Sequence, residues 1–387
     1  MITGRDILIL NDDWGRFPST LQHIAKVLMK NNNRVFWVGS LGLRKPKLNL
    51  SDIKRAFQKA INVFYSESKK FLSAESKPIL IFPFVIPFHD LKIIRKINRF
   101  FILNEIKEVL LRHKSQNLIL LTSSPVSDFL ISELNESVSI YYCVDDYTSM
   151  HGAFKILAKL ENKLIAKADA VFSVSEYLYK SRISRKNNFL VPQGVDSTHF
   201  QKTSVLSNEV INLKKPVIGF FGLVSEWIDL ELIHKCILNY PDYTFVIIGK
   251  SVVDLSIFNG CKNFIFLGPK EYSDLPTFAS VFDVGLIPFK INQVTLAANP
   301  LKLMEYFSLG LPVVSTNLPE VNNFSDLAFV ANSHDEFIKF IKNAIEDYSE
   351  ERVKLRLNKA KDFSWEFVTE EVFDKVLEIQ KKKTLQK

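Results

Sequence analysis

Asn299-Pro300-Leu301-Lys302-Leu303-Met304-Glu305-Tyr306-Phe307-Ser308-Leu309-Gly310-Leu311-Pro312-Val313-Val314-Ser315 reads as a loop, a helix, a stop and a buried strand. Pro300 stands near the first helical position, where its missing N–H and fixed φ are tolerated. Gly310 supplies the stop, and the apolar run 312–315 follows as a strand. The N-terminus of such a helix offers unpaired amides to an anion. Lys302 adds a positive charge in the first turn. Glu305, one turn on, can accept hydrogen bonds from vicinal hydroxyls. Amides with a cation suit a diphosphate, and a carboxylate suits a ribose. On spacing alone, an ordinary strand–helix–strand unit with solvated Lys302 and Glu305 fits equally well.

Working outward, Asp283-Val284-Gly285-Leu286-Ile287-Pro288-Phe289 ends the strand that precedes this unit. Short apolar runs recur on both sides. In the first half they lie at 6–10, 34–38, 79–82, 118–121, 138–142, 170–174 and 189–191. Helical stretches separate them; in 53–64, Ile53, Phe57, Ala60, Ile61 and Phe64 share one face at a 3.6-residue period. The breaker cluster Pro192-Gln193-Gly194-Val195-Asp196 and the polar stretch 201–212 interrupt the pattern, which restarts at 216–221 and continues at 243–248, 264–266, 284–287, 312–315 and 327–330. Alternating strand and helix predicts parallel sheets with right-handed crossovers. The expectation is α/β architecture with two doubly wound domains facing a cleft, residues 1–200 and 201–363, then a helix and tail over 364–387. The apolar stripe Trp365, Val368, Val372 and Val376 must dock, and the first domain is the expected target.

A chain of 387 residues with 47% hydrophobic and 24% charged residues fits a globular protein of two domains. Disorder is expected only in the basic tail 381–387. Cys143, Cys236 and Cys261 form no CxxC pair and read as reduced thiols in a cytosol. The early charges at Arg5 and Asp6 and the short apolar run 7–10 do not make a signal peptide, and 79–88 is far short of the ~20 residues of a spanning helix. Residues 44–114 hold 16 Lys/Arg and 6 Asp/Glu, a net of +10 in a chain of net +8, so the remainder is −2. With Phe57, Phe64, Phe71, Phe100 and Phe101 interleaved, this segment suits an anionic surface or acceptor; solvated helix faces explain it equally.

No GxGxxG, GxxxxGK[ST], HExxH or GxSxG motif is present, and no DxD lies between strand signals. Dinucleotide, P-loop and metal-dependent chemistry are therefore not supported. No cofactor, metal or nucleic acid is expected. Thirteen glycines are few for loops that wrap phosphates, which leaves helix N-termini and a few cations for that work. The loop Asp12-Asp13-Trp14-Gly15-Arg16-Phe17-Pro18-Ser19 follows the first strand; Ser19 suits an N-cap, and Arg16 and His23 could meet an acceptor phosphate. Trp227 and Asp229 open a helix in the second domain, where Trp227 covers a core edge or stands beside a sugar or base. Lys250 ends a strand, and Lys270 follows another.

The stretch 299–315 resembles the donor-binding signature of group-1-type bacterial glycosyltransferases of the GT-B fold. Other segments resemble that family in order along almost the whole chain: Tyr141-Tyr142-Cys143-Val144-Asp145-Asp146-Tyr147, Ala168-Asp169-Ala170-Val171-Phe172-Ser173-Val174-Ser175, Val191-Pro192-Gln193-Gly194-Val195-Asp196, Gly219-Phe220-Phe221-Gly222-Leu223-Val224-Ser225-Glu226-Trp227-Ile228-Asp229 and the helix from Ser364-Trp365. The resemblance implies two Rossmann-like domains with the last helix crossing back to the first. It also implies that Glu305 binds the ribose and the amides of the 299–301 loop the diphosphate. By position the donor site is expected to include Gly222, Trp227, Asp229, Lys250, Asn299, Pro300, Leu301 and Lys302 as well, and the acceptor side Arg16, Ser19 and His23, while a surface Lys250, a structural His23 and a capping Ser19 are the alternatives. Catalytic roles are implied for Asp145, Asp146 and Lys302. Two departures stand out. The glutamate that relatives carry eight positions before the helix glutamate is Ala297 here, and their His-Asp pair is Asp145-Asp146, which leaves stereochemistry open with retention slightly favoured.

The expected activity is transfer of a sugar from a nucleoside diphosphate sugar to a polysaccharide or lipid-linked acceptor in bacterial surface glycan synthesis. The expected location is cytoplasmic, peripheral on the inner face of the membrane. A sugar-nucleotide epimerase of the same fold would release UDP-sugar isomers without an acceptor. A catalytically silent scaffold would bind partners and release no nucleotide.

Overall fold

The computed structural model of the chain describes residues 1–16, 18–42, 77–150, 153–184 and 186–385. The amphipathic stretch 53–64 and Phe57, Phe64 and Phe71 lie outside these residues.

Among the described residues thirteen strands form two parallel sheets. The first comprises β1 (Asp6–Leu10), β2 (Arg34–Val38), β3 (Ile79–Ile81), β4 (Ile119–Thr122), β5 (Val138–Cys143), β6 (Ala170–Ser173) and β7 (Asn187–Leu190), in the order β3-β2-β1-β4-β5-β6-β7. The second comprises β8 (Val217–Phe221), β9 (Thr244–Ile248), β10 (Phe264–Gly268), β11 (Val284–Ile287), β12 (Val313–Thr316) and β13 (Phe329–Ala331), in the order β10-β9-β8-β11-β12-β13. Every expected strand is present, its ends shifted by at most two residues. The core strands are buried on both faces, as parallel sheets covered by helices require: β1, β5 and β8 have no exposed residue.

The chain divides into two compact units, Met1–Ser173 with Leu178–Val191 and Thr369–Lys387, and Val174–Tyr177 with Pro192–Val368. Strand order reverses between β1 and β4 in the first unit and between β8 and β11 in the second. Doubly wound sheets bind ligands beyond the carboxyl ends of the strands at such points. In the first unit Asn11 links the two halves there: its amide donates to Ser19 Oγ (3.0 Å), and Ser123 Oγ donates to its carbonyl (2.6 Å). In the second unit the 227–229 segment bonds to 288–290 across the reversal, through Asp229 N to Pro288 O and Lys290 N to Trp227 O, both 2.8 Å.

The helix Trp365–Leu385 buries Trp365, Val368, Val372 and Val376, the stripe expected to dock. Trp365 packs on Gly194 in the second unit, where a Cβ would come within 2.7 Å of the indole. Residues from Thr369 onward belong to the first unit. The tail expected to be disordered from 381 is helical to Leu385. Lys383 Nζ bonds Asp169 Oδ2 at 2.7 Å, a tether that composition does not reveal.

At the carboxyl ends of β8 and β9 two glycine backbones touch. Gly222 N donates to Ile248 O and Gly249 N to Gly268 O, both 2.8 Å. Gly249 has φ +143°, and a Cβ on it would lie 1.9 Å from Gly222 O. Gly249→Ala should therefore cost at least about 3 kcal/mol, because backbone rather than a flexible side chain must yield. Denaturant unfolding of the variant measures this; a loss below about 1 kcal/mol would show that the strand ends separate easily.

Candidate functional site

The helix Leu301–Ser308 is pressed onto the second sheet by Leu303, Met304, Tyr306 and Phe307, all buried. Tyr306 sits directly over Gly285, where a Cβ would lie 2.6 Å from the ring. Its hydroxyl donates to Leu286 O (3.3 Å) and accepts from Phe221 N (3.4 Å), spanning β11 and β8 at the reversal of strand order. Gly310, at φ +72°, closes the helix: Leu311 N donates to Tyr306 O (3.0 Å) and Gly310 N to Phe307 O (2.9 Å), a Schellman pair. This docking leaves the first turn at the strand ends. Lys302 Nζ lies 2.6 Å from Glu305 Oε2 and 4.8 Å from the centre of the Phe221 ring. Its aliphatic stem passes over Gly222, where a Cβ would meet Cε at 3.0 Å. Lys302, Glu305 and Gly222 are thus brought together, and Glu305 is only 7% exposed.

The turn before the helix is held from outside itself. Ser175 Oγ donates to Ala297 O (2.7 Å), Gln193 Nε2 to Asn299 O (3.0 Å), and Asn299 Nδ2 to Glu320 Oε2 (3.4 Å). Pro300 occupies the N-cap position, with no side-chain cap, and Leu301 begins the helix. Asp229 caps Leu230–Asn239 through Leu232 N (3.0 Å) and meets His334 Nε2 at 3.1 Å. Trp227 packs against the core edge. Lys250 is exposed, and its carbonyl accepts from Val224 N (2.9 Å). Lys270 bonds both oxygens of Glu209, at 2.7 and 2.8 Å.

In the first unit Arg16 is exposed and His23 is buried. Ser19 occupies the N-cap position of Thr20–Lys30, but its hydroxyl makes no cap bond; it turns to Asn11 at the reversal of strand order. Asp145 and Asp146 follow β5. Asp146 is buried, and it accepts from Thr148 Oγ1 (2.7 Å), Ser149 Oγ (2.7 Å) and Arg182 Nη2 (2.5 Å). Arg182 also reaches Glu161 (3.5 Å), which accepts from the Tyr141 hydroxyl (2.6 Å). Burial alone would raise the Asp146 carboxyl. The Ser149 and Thr148 hydroxyls and the Arg182 guanidinium outweigh it and hold the group below the usual carboxylate range. Asp145, half-buried, offers its carbonyl to Tyr147 N (3.0 Å). Among the described residues no cluster of three or more His, Cys, Asp or Glu could hold a metal ion, and no helix is long and apolar enough to cross a membrane.

Residues 215–347 match the family described as glycosyl transferases group 1. That segment is similar to the group 1 glycosyltransferases, and the whole chain has the GT-B fold. It is 27% identical over 227 residues to a Bacillus subtilis protein named for glycosyl transfer in teichuronic acid biosynthesis (TuaH), a match covering 54% of this chain and 57% of that relative. The matched part thus spans little more than half the length of that relative. The sucrose-phosphate synthase structure of Thermosynechococcus elongatus superposes with a TM-score of 0.71 at 12% identity, over 97% of this chain and 99% of that one. The catalytic domain of Arabidopsis thaliana starch synthase IV, bound to ADP and acarbose, superposes with a TM-score of 0.64 at 12% identity, over 98% and 100%.

Sequence reasoning missed Gly249, Ser175 and Glu320. Gly249 carries the signal of a glycine at a strand end; the other two have none, because their partners are distant in the chain. The Asp146 network makes a testable statement about pH. A depressed carboxylate contributes stability that is fully present above its unfolded value of about 3.9 and is lost as pH falls through the folded value. Asp146→Asn should lower the melting temperature at pH 7, and the gap to the parent protein should close below about pH 4. A gap that stays constant with pH would mean that the Asp146 charge contributes nothing.

Proposed function

We propose that this glycosyltransferase moves a sugar from a nucleoside diphosphate sugar to a polysaccharide or lipid-linked acceptor of a bacterial surface glycan. The carrying observation is the Lys302–Glu305 pair on the first turn of Leu301–Ser308, seated against Gly222. In this reading the helix amides and Lys302 take the diphosphate and Glu305 takes the ribose hydroxyls, so ligand contacts replace the ion pair. Asn299, Pro300 and Leu301 form the rim of the same site, with Gly222, Trp227, Asp229 and Lys250 on the adjoining loops. The relative named for teichuronic acid biosynthesis supports a surface glycan as product.

The chemistry is a substitution at the anomeric carbon. The bond to the diphosphate oxygen breaks and its electron pair leaves on the diphosphate, whose charge Lys302 and the helix amides stabilise. The acceptor hydroxyl oxygen bonds to that carbon, and its proton passes to a carboxylate. Asp145 takes this role because it stands where the resembling family carries its acceptor-facing histidine, with Asp146 as the fallback. Arg16, Ser19 and His23 belong to the acceptor side in this reading.

The same reading gives the protein a membrane surface to work on. The helix Lys92–Arg112 buries Ile102, Leu103, Ile106 and Leu110 yet turns Ile93, Phe100 and Leu111 outward, exposed by 73%, 61% and 80%. Phe101 of this helix meets Phe84 edge-on at 5.7 Å, and Lys92, Lys96 and Lys107 of the same helix are exposed. Apolar rings ringed by cations fit the interface of an anionic bilayer, which supports a position on the inner membrane face.

Glu305→Ala should weaken binding of the cognate nucleotide by about 1.5–3 kcal/mol, the worth of a charge-assisted hydrogen bond. Lys302→Ala should lower kcat more than it raises KM if the lysine acts on the departing diphosphate. Asp145→Asn should cut transfer by ~10²–10⁴-fold with nucleotide binding intact. Titration with UDP, GDP, dTDP, CDP and ADP, followed by nucleotide-release kinetics, measures all three; native behaviour in every variant would place the chemistry elsewhere. Anionic vesicles should sediment the protein in a salt-sensitive manner, less so after Phe84→Ser with Phe100→Ser. Sedimentation indifferent to salt and to both substitutions would remove the membrane reading.

A further inference from the structure

The turn 297–299 decides where the first amides of Leu301–Ser308 point, and nothing within the helix fixes it: Pro300 at the N-cap makes no side-chain cap. Gln193 Nε2 holds Asn299 O, and the Ala297 and Ala298 amides donate to Gln293 O and Thr295 O; the remaining fixing groups come from the ends of two strands. After β6 the four residues Val174–Tyr177 leave the first unit and belong to the second. Ser175 there is fully buried and donates to Ala297 O at 2.7 Å. After β12 the short helix Pro319–Asn322 presents Glu320, which is buried. Glu320 Oε1 accepts from Glu176 N at 2.7 Å, and Oε2 accepts from Asn299 Nδ2 at 3.4 Å. One carboxylate therefore joins the 174–177 excursion to the side chain of the residue that introduces Pro300. A carboxylate taken out of water is costly unless its oxygens are engaged, and here both are engaged on parts of the same turn assembly.

We propose that Glu320 is a positioning residue for the donor site: by holding the Glu176 amide on one oxygen and the Asn299 amide on the other, it sets the 297–300 turn that aims the first-turn amides and Lys302. It touches neither donor nor acceptor and acts through Asn299. The assignment rests on the donor-site reading given above. Small misplacement of binding groups is expensive in affinity and rate, so the effect of losing Glu320 is read in nucleotide binding as well as in stability.

The test uses the full chain and the five nucleotides UDP, GDP, dTDP, CDP and ADP, with dissociation constants and melting temperatures measured side by side. Glu320→Ala should weaken the best-bound nucleotide at least about tenfold. Glu320→Gln keeps an acceptor for the Glu176 amide and should restore most of that loss. Asp283→Asn is the stability control. Asp283 accepts from Val217 N (2.7 Å) and Lys215 Nζ (3.0 Å) at the opposite, amino end of the sheet. It should lower the melting temperature and leave affinity unchanged. If Glu320→Ala does not fold, Glu320→Asp keeps the charge on a shorter arm and should weaken binding in the same direction.

Native affinity in Glu320→Ala or, failing that, in Glu320→Asp overturns the proposal, as does an equal affinity loss in Asp283→Asn. A Glu305→Ala variant that binds nucleotide normally, or a parent protein that binds none of the five, overturns the donor-site reading and the Glu320 assignment with it. Weakened Glu305→Ala beside normal Glu320 variants overturns the Glu320 assignment alone.

Discussion

Tyr306 lies on the bare backbone of Gly285, and the second unit is organised around that contact. A methyl at Gly285 would come within 2.6 Å of the ring. Without it, Tyr306 settles deep enough for its hydroxyl to bond across β8 and β11 where strand order reverses. The rest of the helix follows from this anchor. Leu303, Met304 and Phe307 share its buried side, and the 3.6-residue period then puts Lys302 and Glu305 one turn apart at the strand ends. The Schellman closure at Gly310 returns the chain straight into β12, so the helix has no freedom to slide along its axis.

Charge in the chain is handled differently in the two units. Around Lys302 it is economical: one cation, one carboxylate, an aromatic face beneath, and glycine backbones beside it. Around Asp146 it is dense. Asp146, Arg182 and Glu161 share a buried network with the Tyr141 hydroxyl and two turn hydroxyls. Such networks rarely add net stability over well-packed apolar residues, but leaving one partner alone is severely penalised. Here the network ties the turn after β5 to Arg182 and, through it, to Glu161 and Tyr141.

The helix Lys92–Arg112 breaks the usual rule of one apolar stripe. Its inner side is apolar because it covers the first sheet, and its outer side is apolar as well, with lysines around it. Single exposed apolar residues are ordinary on protein surfaces; a cluster of rings on one helix and the segment after β3 is not.

The sequence alone determined the elements. All the strands among the described residues were readable from apolar runs and breakers, since strands buried on both faces need uninterrupted apolar residues and the turns between them need glycine, proline or small polar groups. The helix 301–308, its glycine stop and the pairing of Lys302 with Glu305 on one turn were equally legible, because they depend on neighbours within four residues. Tertiary structure decided everything that depends on distant partners. Ser19 reads as a cap but bonds Asn11; the Asp145-Asp146 pair reads as a base at Asp145 with Asp146 as fallback, and folding puts Asp146 on Arg182. The tail from 381 reads as disordered but is tethered by Lys383 to Asp169. Glu320 is one acidic residue among 42 until folding brings Glu176 and Asn299 to its two oxygens. Periodicity is a local property that a linear pattern records, whereas the partner of a polar side chain is fixed only when strands far apart in sequence become neighbours in the sheet.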